Sequence, residues 1–446
     1  MEAATTAAAA AAAATATARC QQQQAQLASA VGVPAMRRVA AAVLLARGWA
    51  LRLLQPLAQS TAAPLTRFRE AKKLGDARQL GALLRVQAHR TALRDAFFVA
   101  TSFAGNADFY LLLLPTMIWQ GAPELGRKIT YMVTSSLVLG NTLKDIVALP
   151  RPPSPPVWRP TSALALDSSA FADFGWPSTH AMNAVTNPLL VAAALAPWWR
   201  RSRRRQAVVV VASLLWASTI SFGRLYLGAH SRSDVFGGHL LGALVAAFWV
   251  PLVPRFDAAV TAAGAAGAWM IGGAVSLSVA LFTLYPAQLL AGASAPQSAE
   301  LVGLFLGCMV GSRQEAARVR RAAAAIDHEQ GGHSHSVEST RPTPTKAGSR
   351  ARDTVQLLAS TPRRAAITRE ALGYAIALSC RELTSTTAAY LIRSGFHFRG
   401  DVAEGLGLIL RKVATYFVIA WTMAGVSPAV FRWLGIHHNH TITAGH

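Results

Sequence analysis

Apolar segments of membrane length follow one another along most of this 446-residue chain. A helix needs roughly 20 predominantly apolar residues to cross a bilayer. By that measure nine segments are candidate spans: 97–119, 128–149, 181–199, 206–228, 235–254, 258–286, 297–312, 369–394 and 411–436. The seventh is short, and the eighth contains Arg381 and Glu382, which favours an interfacial or re-entrant segment. The pattern predicts an all-α fold, a polytopic transmembrane helical bundle.

The polar stretches between the spans divide the chain into four regions. Residues 1–90 are low in complexity and then basic, which predicts a largely disordered or amphipathic N-terminal region. Residues 91–312 form the transmembrane core, 313–366 a flexible basic cytoplasmic loop, and 367–446 the C-terminal membrane segments. No acidic residue stands between Glu2 and Glu70, as in organelle transit peptides. Biased base composition gives the same pattern, so cleavage of residues 1–60 stays an open question.

Composition and charge support the membrane interpretation. Hydrophobic residues make up 52% of the chain and charged residues only 14%, whereas soluble domains average about 25% charged residues. A net charge of +22 would suggest nucleic acid in a soluble protein. Here the basic residues cluster in the termini and loops, so we expect contacts with membrane lipids and no nucleic acid. Cys20, Cys308 and Cys380 lie too far apart to indicate a metal site or a disulfide framework.

The loop charges predict an orientation. Five arginines lie between residues 200 and 205, in a short loop that joins two spans, so this loop should be cytoplasmic. The opposite ends of the two flanking spans should then face the lumen. Residues 60–95 are also basic, yet simple alternation of spans places them on the lumenal side too. The two charge signals therefore conflict.

Three short motifs at the ends of predicted spans carry the candidate chemistry. They are Lys144-x6-Arg151-Pro152, Pro177-Ser178-Thr179-His180 and Arg224-x5-His230-x3-Asp234. Together they supply three cations, a hydroxyl at a helix start, two histidines and a carboxylate. This set can bind a phosphate, attack its phosphorus and protonate a leaving alcohol without a metal, so we expect no cofactor. Because the surrounding segments are apolar, the expected substrate is a phosphorylated lipid.

The third motif predicts a nucleophile. Gly228 should break the helix, and His230 and Asp234 are four residues apart at the start of the next one, on a shared face. Asp234 can then accept a proton from one ring nitrogen of His230 and leave the other nitrogen free to attack. The alternative is an ordinary interfacial histidine beside a helix-capping aspartate.

The second motif predicts an anion site with a proton donor. Ser178 is a candidate N-cap whose helix start favours an anion, and its hydroxyl can add a donor. Thr179 is grouped with Ser178 among the expected phosphate-binding residues, and His180 is the candidate general acid for the leaving alkoxide. A simple capping sequence is the alternative.

The first motif, with Arg224, supplies positive charge. A lysine late in an apolar span, as Lys144 is, is costly and usually functional. Pro150 and Pro152 indicate that the helix has ended before Arg151, which can point inward from the loop. Three cations can neutralise a phosphoryl group. The alternative is that Lys144 simply pairs with its neighbour Asp145.

These motifs resemble those of the type 2 phosphatidic acid phosphatase superfamily, which uses K-x6-RP, PSGH and SR-x5-H-x3-D. The stretches Arg151-Pro152-Pro153-Ser154-Pro155-Pro156 and Phe174-Gly175-Trp176-Pro177-Ser178-Thr179-His180-Ala181-Met182 resemble the sphingosine-1-phosphate (long-chain base 1-phosphate) phosphatase branch. Thr179 replaces the superfamily glycine, as it does in that branch. Gly223 replaces the serine expected before Arg224, which predicts weaker phosphate binding.

The resemblance implies a metal-independent phosphoric monoester hydrolase of the endoplasmic reticulum membrane. It implies a phosphohistidine at His230, with His180 as acid, Asp234 as orienter, and the three cations with Ser178 as phosphate ligands. Two other enzymes of the superfamily remain open: a broad phosphatidate and lysophosphatidate phosphatase, and a lipid phosphotransferase. A non-catalytic scaffold or transporter is a different class, and the intact histidines argue against it. The sequence does not indicate an oligomeric state.

Overall fold

Helices account for every regular element in the part of the chain that the structure describes. This computed structural model describes residues 33–160, 173–285, 289–290, 292–331, 361–395 and 401–437. The predicted all-α fold is confirmed within these ranges. Predictions that fall on residues 1–32, which include Cys20, and on residues 332–360 lie outside the described residues.

The helices are long and joined by short connections. In chain order they are α1 (Val33–Ala88), α2 (Ala92–Phe103), α3 (Ala107–Trp119), α4 (Pro123–Val147), α5 (Thr179–Ala194), α6 (Ala196–Trp199), α7 (Arg203–Tyr226), α8 (Arg232–Thr261), α9 (Ala266–Leu284), α10 (Ser294–Gly331), α11 (Pro362–Gly395), α12 (Asp401–Trp421) and α13 (Ser427–Leu434). A π-helical turn, Thr422–Val426, joins α12 to α13.

Among the described residues, four helical segments are long and apolar enough to cross a membrane: Arg203–Tyr226, Arg232–Thr261, Ala266–Leu284 and Glu404–Leu434. They correspond to the fourth, fifth, sixth and ninth predicted spans. The first predicted span, 97–119, is wrong as a single helix, because the chain turns at residues 104–106 between α2 and α3. The membrane class of the protein is confirmed by these helices.

Helices extend into two regions: residues 1–90, predicted to be largely disordered or amphipathic, and residues 313–366, predicted to be a flexible loop. Residues 33–88 form the 56-residue helix α1. The loop predicted at 313–366 starts later, because α10 continues to Gly331, and α11 already begins at Pro362. Both segments are rich in alanine and arginine, which have high intrinsic helix propensity. A basic, weakly apolar composition was therefore a poor guide to the absence of a helix.

Close packing of α10 on α12 builds the C-terminal half of the bundle. Gly303, Gly307 and Gly311 lie four residues apart on α10, facing α12. A Cβ at Gly307 would lie 2.1 Å from the carbonyl oxygen of Phe417, so only glycine permits this approach. Small residues at this spacing are a common device of packed membrane helices.

Helices α4, α5, α7 and α8 position the motifs, and they pack against one another. At one end of α4, Arg127 forms a bidentate ion pair with Asp257 of α8, with nitrogen–oxygen distances of 2.8 and 2.7 Å. The three motifs lie at the opposite ends of these two helices. The five-arginine loop likewise lies at the ends of α5 and α7 that are remote from the motifs.

Candidate active site

Backbone hydrogen bonds between loops bring the three motifs together. The N–H of Ser178 donates to the carbonyl oxygen of Asp234 at 3.1 Å, which joins the second motif to the third. The N–H of Gly175 donates to Leu149 at 2.7 Å and joins the second motif's loop to the first. The site is therefore built where α4 and α7 end and α5 and α8 begin.

The connection between α7 and α8 turns sharply at Gly228. Its φ of 66° lies in the left-handed region that favours glycine. A Cβ at this position would also lie 2.5 Å from the carbonyl oxygen of Trp158. The helix break predicted at Gly228 is confirmed, and it brings His230 back toward the end of α7, where its N–H lies 3.3 Å from the carbonyl oxygen of Arg224.

Asp234 caps the helix that follows His230. Ser231 is the N-cap of α8, and its N–H donates to Asp234 Oδ2 at 2.7 Å, while the Asp234 N–H donates to Ser231 Oγ at 3.2 Å. His230 Nδ1 lies 3.7 Å from the same Oδ2 atom. This separation is too long for a hydrogen bond. Asp234 therefore faces His230 as predicted, but its close bonds go to the helix start.

The surroundings of His230 select one tautomer. Arg151 Nη1 lies 3.1 Å from His230 Nε2 and 2.7 Å from the carbonyl oxygen of Ala229. A guanidinium can only donate hydrogen bonds, so Nε2 must present its lone pair. The proton of a neutral ring then sits on Nδ1, toward Asp234. Nε2 is thus the nitrogen that is available as a nucleophile.

Lys144 and Arg151 both pair with Asp173, which the sequence had not suggested. Lys144 Nζ contacts Asp173 Oδ2, and Arg151 Nη2 contacts Oδ1, while Arg151 Nε donates to Oδ1 at 3.1 Å. All three side chains are buried. Helix α4 ends at Val147, so Arg151 points inward from the loop as predicted.

The expected alternative partner of Lys144 is engaged elsewhere. The carboxylate of Asp145 accepts a hydrogen bond from the Tyr285 hydroxyl. Lys144 instead pairs with Asp173 across the site. The two neighbouring residues of α4 therefore serve different contacts, and the charge of Lys144 belongs to the site.

Burial and charge together set two pKa values in the loops. Burial raises the pKa of the Asp173 carboxyl, but the adjacent Lys144 and Arg151 outweigh burial and hold this pKa below its usual range. Burial and the charge of Arg151 lower the pKa of His230 to about 3, against the opposing effect of Asp234. At neutral pH the site therefore holds an ionised Asp173 and a neutral His230.

His180 is oriented by a residue that precedes the motifs. His180 Nε2 lies 3.0 Å from Asn106 Oδ1. The ring also packs on Gly105, where a Cβ would lie 2.2 Å from His180 Cδ2. The turn between α2 and α3 thus forms the wall against which His180 rests. The positive charges of Arg224, Lys144 and Arg151 also act on the His180 ring.

Ser178 and Thr179 are buried at the start of α5. Ser178 is the N-cap, as predicted, and its hydroxyl accepts from the Ala181 N–H at 3.4 Å. Thr179 packs its methyl group against Gly140 of α4, where a Cβ would lie 2.6 Å away. Both side chains therefore hold α5 in place. The structure gives no test of the phosphate contacts expected of them.

Arg224 reaches α2 from the last turn of α7. Its Nη2 donates to the hydroxyl of Ser102. The preceding Gly223 faces Phe98, and a Cβ there would lie 3.2 Å from the Phe98 ring. A serine at this position would have to displace that ring slightly, which gives the glycine a packing reason. Ser221 points elsewhere, with its hydroxyl 2.6 Å from His239 Nε2.

The long helix α1 also reaches the site. Lys72 Nζ lies 2.8 Å from Asp234 Oδ1 and also pairs with Asp76. Ser233, in the first turn of α8, donates to the other oxygen of Asp76. The side chains of Lys72 and Asp234 are almost fully buried. Helix α1 is therefore part of the site's wall.

The structure thus places the three motifs at neighbouring helix ends and adds four residues to their contacts: Lys72, Ser102, Asn106 and Asp173. Of these four, only Asp173 could have been suspected from the sequence, because it stands two residues before Gly175 in the loop of the second motif. The other three lie on helices or turns whose packing partners are distant in sequence. No group of three or more metal-ligating side chains is found among the described residues.

A known protein family matches the segment of the chain that contains the three motifs. Residues 126–257 of this helical membrane protein, which contain all three motifs, match the PAP2 superfamily, and the resemblance inferred from the motifs is therefore confirmed over that segment. No solved structure matches the chain.

Several named relatives are lipid phosphate phosphatases. The chain is 30% identical to lipid phosphate phosphatase delta of Arabidopsis thaliana over 54% of this chain and 57% of the relative. It is 34% identical to a dihydrosphingosine 1-phosphate phosphatase of Saccharomyces cerevisiae over 35% and 38%. It is 31% identical to sphingosine-1-phosphate phosphatase 1 of Rattus norvegicus over 34% of each chain. The chain thus spans between about a third and somewhat more than half of these relatives.

Proposed function

We propose that this protein hydrolyses sphingosine 1-phosphate and related long-chain base 1-phosphates to the sphingoid base and phosphate. The observation that carries the proposal is the position of Arg151, which contacts both the Asp173 carboxylate and Nε2 of His230. A phosphate held by Arg151 in place of Asp173 would lie beside the nucleophilic nitrogen. The class of the reaction is phosphoric monoester hydrolysis, as the names of the relatives suggest.

Phosphate binding begins with an exchange of anions. Asp173 holds Lys144 and the Nε–Nη2 edge of Arg151, the edge that grips oxyanions bidentately. A phosphomonoester dianion carries more charge than a carboxylate and can take over both cations. Arg224 would add a third positive charge from the end of α7. These three cations neutralise the charge on the equatorial oxygens of the phosphoryl group.

In the first chemical step, the lone pair of His230 Nε2 attacks phosphorus in line with the leaving oxygen. The N–P bond forms as the P–O bond to the lipid breaks. His180 donates a proton to the departing alkoxide, so the lipid leaves as a neutral alcohol. Asp234 faces Nδ1–H and stabilises the positive charge that develops on the ring.

In the second step, water attacks the phosphohistidine. His180, now lacking its proton, accepts one from the water as the new P–O bond forms. The N–P bond breaks, phosphate leaves, and His230 returns to its neutral form. The cycle consumes one lipid phosphate and one water molecule, and it returns both histidines to their starting protonation states.

The named relatives favour a sphingoid substrate, because several carry sphingosine or dihydrosphingosine 1-phosphate in their names. A broader lipid phosphate phosphatase is the second candidate, since the name of the Arabidopsis relative specifies no backbone. The catalytic residues cannot separate them, because both substrates share the phosphomonoester headgroup. A phosphotransferase would use the same first step with a second alcohol in place of water.

The proposed location is the endoplasmic reticulum membrane with a lumenal active site. The five-arginine loop lies at the far ends of α5 and α7 from the site, and the positive-inside rule favours a cytoplasmic loop. The basic residues of α1 give the opposite signal, because Lys72 lies at the site. An acceptor sequence for N-glycosylation inserted near residue 165 decides the matter. Modification supports a lumenal site, and an unmodified, folded protein supports the inverted orientation.

The test of function measures the phosphate that the purified protein releases from sphingosine 1-phosphate and from phosphatidate, side by side and in the presence of EDTA. Preference for the sphingoid substrate is the expected result. Equal rates would replace it by the broad phosphatase, and loss of activity in EDTA would contradict a metal-independent site. Release of phosphate from neither lipid, in protein that binds vanadate, would turn attention to a transferase acceptor.

A further inference from the structure

Lys72 connects a helix outside the PAP2 superfamily domain to the proposed catalytic pair. It lies on α1, more than 50 residues before the matched segment 126–257. Its ammonium group lies 2.8 Å from Asp234 Oδ1, and both side chains are buried. Asp76, one turn further along α1, pairs with the same ammonium group and accepts a hydrogen bond from Ser233.

The two oxygens of Asp234 have separate partners. Oδ2 accepts the Ser231 N–H at 2.7 Å and is the oxygen that faces His230 Nδ1. Oδ1 points the other way, to Lys72. A buried carboxylate without a cation would be costly and would tend to take up a proton. Lys72 therefore favours an ionised Asp234, and the two contacts together fix the plane of its carboxylate.

We propose that Lys72 is a positioning residue of the active site, which holds Asp234 ionised and directs its Oδ2 toward His230. Through this contact Lys72 keeps the proton of His230 on Nδ1 and the lone pair on Nε2. The inference rests on the proposed function, because it assigns Lys72 to the chemical step of that reaction. It predicts an effect on turnover rather than on phosphate binding, since the three phosphate-binding cations lie elsewhere.

A purely structural role for Lys72 would be to fasten α1 to the bundle, but other side chains do this. Arg69 donates from Nε to the carbonyl oxygen of Val147 at 2.7 Å. Gln87 donates to the carbonyl oxygens of Trp158 and Tyr226, each at 2.9 Å. These contacts lie on both sides of Lys72 along α1. The helix should therefore stay docked when Lys72 is replaced.

The test compares Lys72→Met with Lys73→Met and Lys72→Arg in the full-length protein. Lys73→Met removes the same charge from the neighbouring, exposed position of α1. Lys72→Met should lower kcat by about 10- to 100-fold, the range seen when an outer group that orients a histidine is lost. KM and the inhibition constant of inorganic phosphate, a tetrahedral anion that does not mimic the transition state, should change less than about twofold. Lys73→Met should match wild type, and Lys72→Arg should recover most of the lost kcat.

Because Lys72→Met leaves the buried Asp234 and the partly exposed Asp76 without their shared cation, a second variant guards against a failure to fold. Lys72→Met/Asp76→Asn removes one charge of each sign and should show the same selective loss of kcat. Wild-type kcat in either folded variant would overturn the inference. So would an equal loss of kcat and of inorganic phosphate binding, or no recovery in Lys72→Arg. An inactive wild-type protein would instead overturn the proposed function, and this inference with it.

Discussion

Arg151 contacts both Asp173 and His230: its Nε donates to Asp173 Oδ1 at 3.1 Å, and its Nη1 lies 3.1 Å from His230 Nε2. The first contact uses the donors that a phosphate would need. The second contact keeps the guanidinium beside the atom that would attack the phosphate. Under the proposed function, a phosphate that binds Arg151 would therefore compete with the carboxylate of Asp173.

Asp173→Asn should strengthen anion binding. The amide keeps the size of the side chain but loses the charge that holds Lys144 and Arg151. The inhibition constant of vanadate should fall by about tenfold, equivalent to about 1.4 kcal/mol. The measurement is inhibition of phosphate release at fixed substrate concentration relative to KM.

Asp145→Asn is the matched control for this prediction. Asp145 is also an acidic residue next to Lys144, but its carboxylate accepts from Tyr285. Vanadate inhibition should be unchanged in this variant. A weaker inhibition in Asp173→Asn would show that Asp173 is needed to hold the cations in place, which contradicts the competition.

The low pKa of His230 predicts a specific loss of stability in acid. In the folded protein this pKa is about 3, whereas the ordinary value is 6.5. Between these values the unfolded chain binds a proton that the folded protein does not, so stability is complete above pH 6.5 and is lost as the pH falls. From about pH 7 to about pH 5 the loss from this residue alone should be about 2 kcal/mol.

His230→Gln removes this contribution, because glutamine does not titrate. Thermal unfolding of wild type and variant in the same detergent at both pH values is the measurement. Wild type should lose about 2 kcal/mol more of its free energy of unfolding than the variant over this interval. An equal pH dependence in the two proteins would mean that His230 is not held neutral by its surroundings.

Gly105→Ala should impair the proton donor without touching the nucleophile. The new Cβ would lie 2.2 Å from His180 Cδ2, so the ring must leave its position beside Asn106. General acid catalysis typically contributes about 10²- to 10⁴-fold, and kcat for a lipid phosphate should fall within this range. Hydrolysis of an aryl phosphate, whose leaving group needs no proton, should fall much less.

Gly81→Ala is the control for this substitution. Gly81 lies on α1 with no atom within 4 Å of the position a Cβ would take. Its activity on both substrates should equal that of wild type. If Gly105→Ala slowed both substrates equally, the ring of His180 would serve the nucleophilic step or the fold instead.

The sequence was sufficient to predict those features of the site that depend on residues close together along the chain. The break at Gly228, the N-cap at Ser178 and the inward turn of Arg151 follow from short-range rules, and all three are present. Lys72 could not be found in this way, because it stands beside Lys73 in a basic helix and only the docking of α1 buries it. Asp173 was not predicted because Lys144 and Arg151 were assigned to the phosphate of a substrate, and a carboxylate of the protein was not considered as their shared partner.

The predicted boundaries of helices and loops were wrong where the composition of a segment is compatible with either a helix or a loop. The segment after Ser312 is polar and basic enough for a loop, yet its alanines and arginines also favour the helix that α10 continues to form. The span 97–119 is mostly apolar, but it turns at residues 104–106, where Gly105 lies against the His180 ring. Such turns depend on tertiary packing and leave little trace in hydrophobicity.

The central claim is that Nε2 of His230 forms a covalent bond to phosphorus. The most direct test mixes the protein with sphingosine 1-phosphate labelled on phosphorus, stops the reaction with alkali within one turnover and maps the label by mass spectrometry. The claim predicts phosphate on the peptide that contains His230, formed and consumed at rates compatible with kcat, and none in His230→Gln. Steady turnover by wild type with no labelled His230 at any time would contradict it.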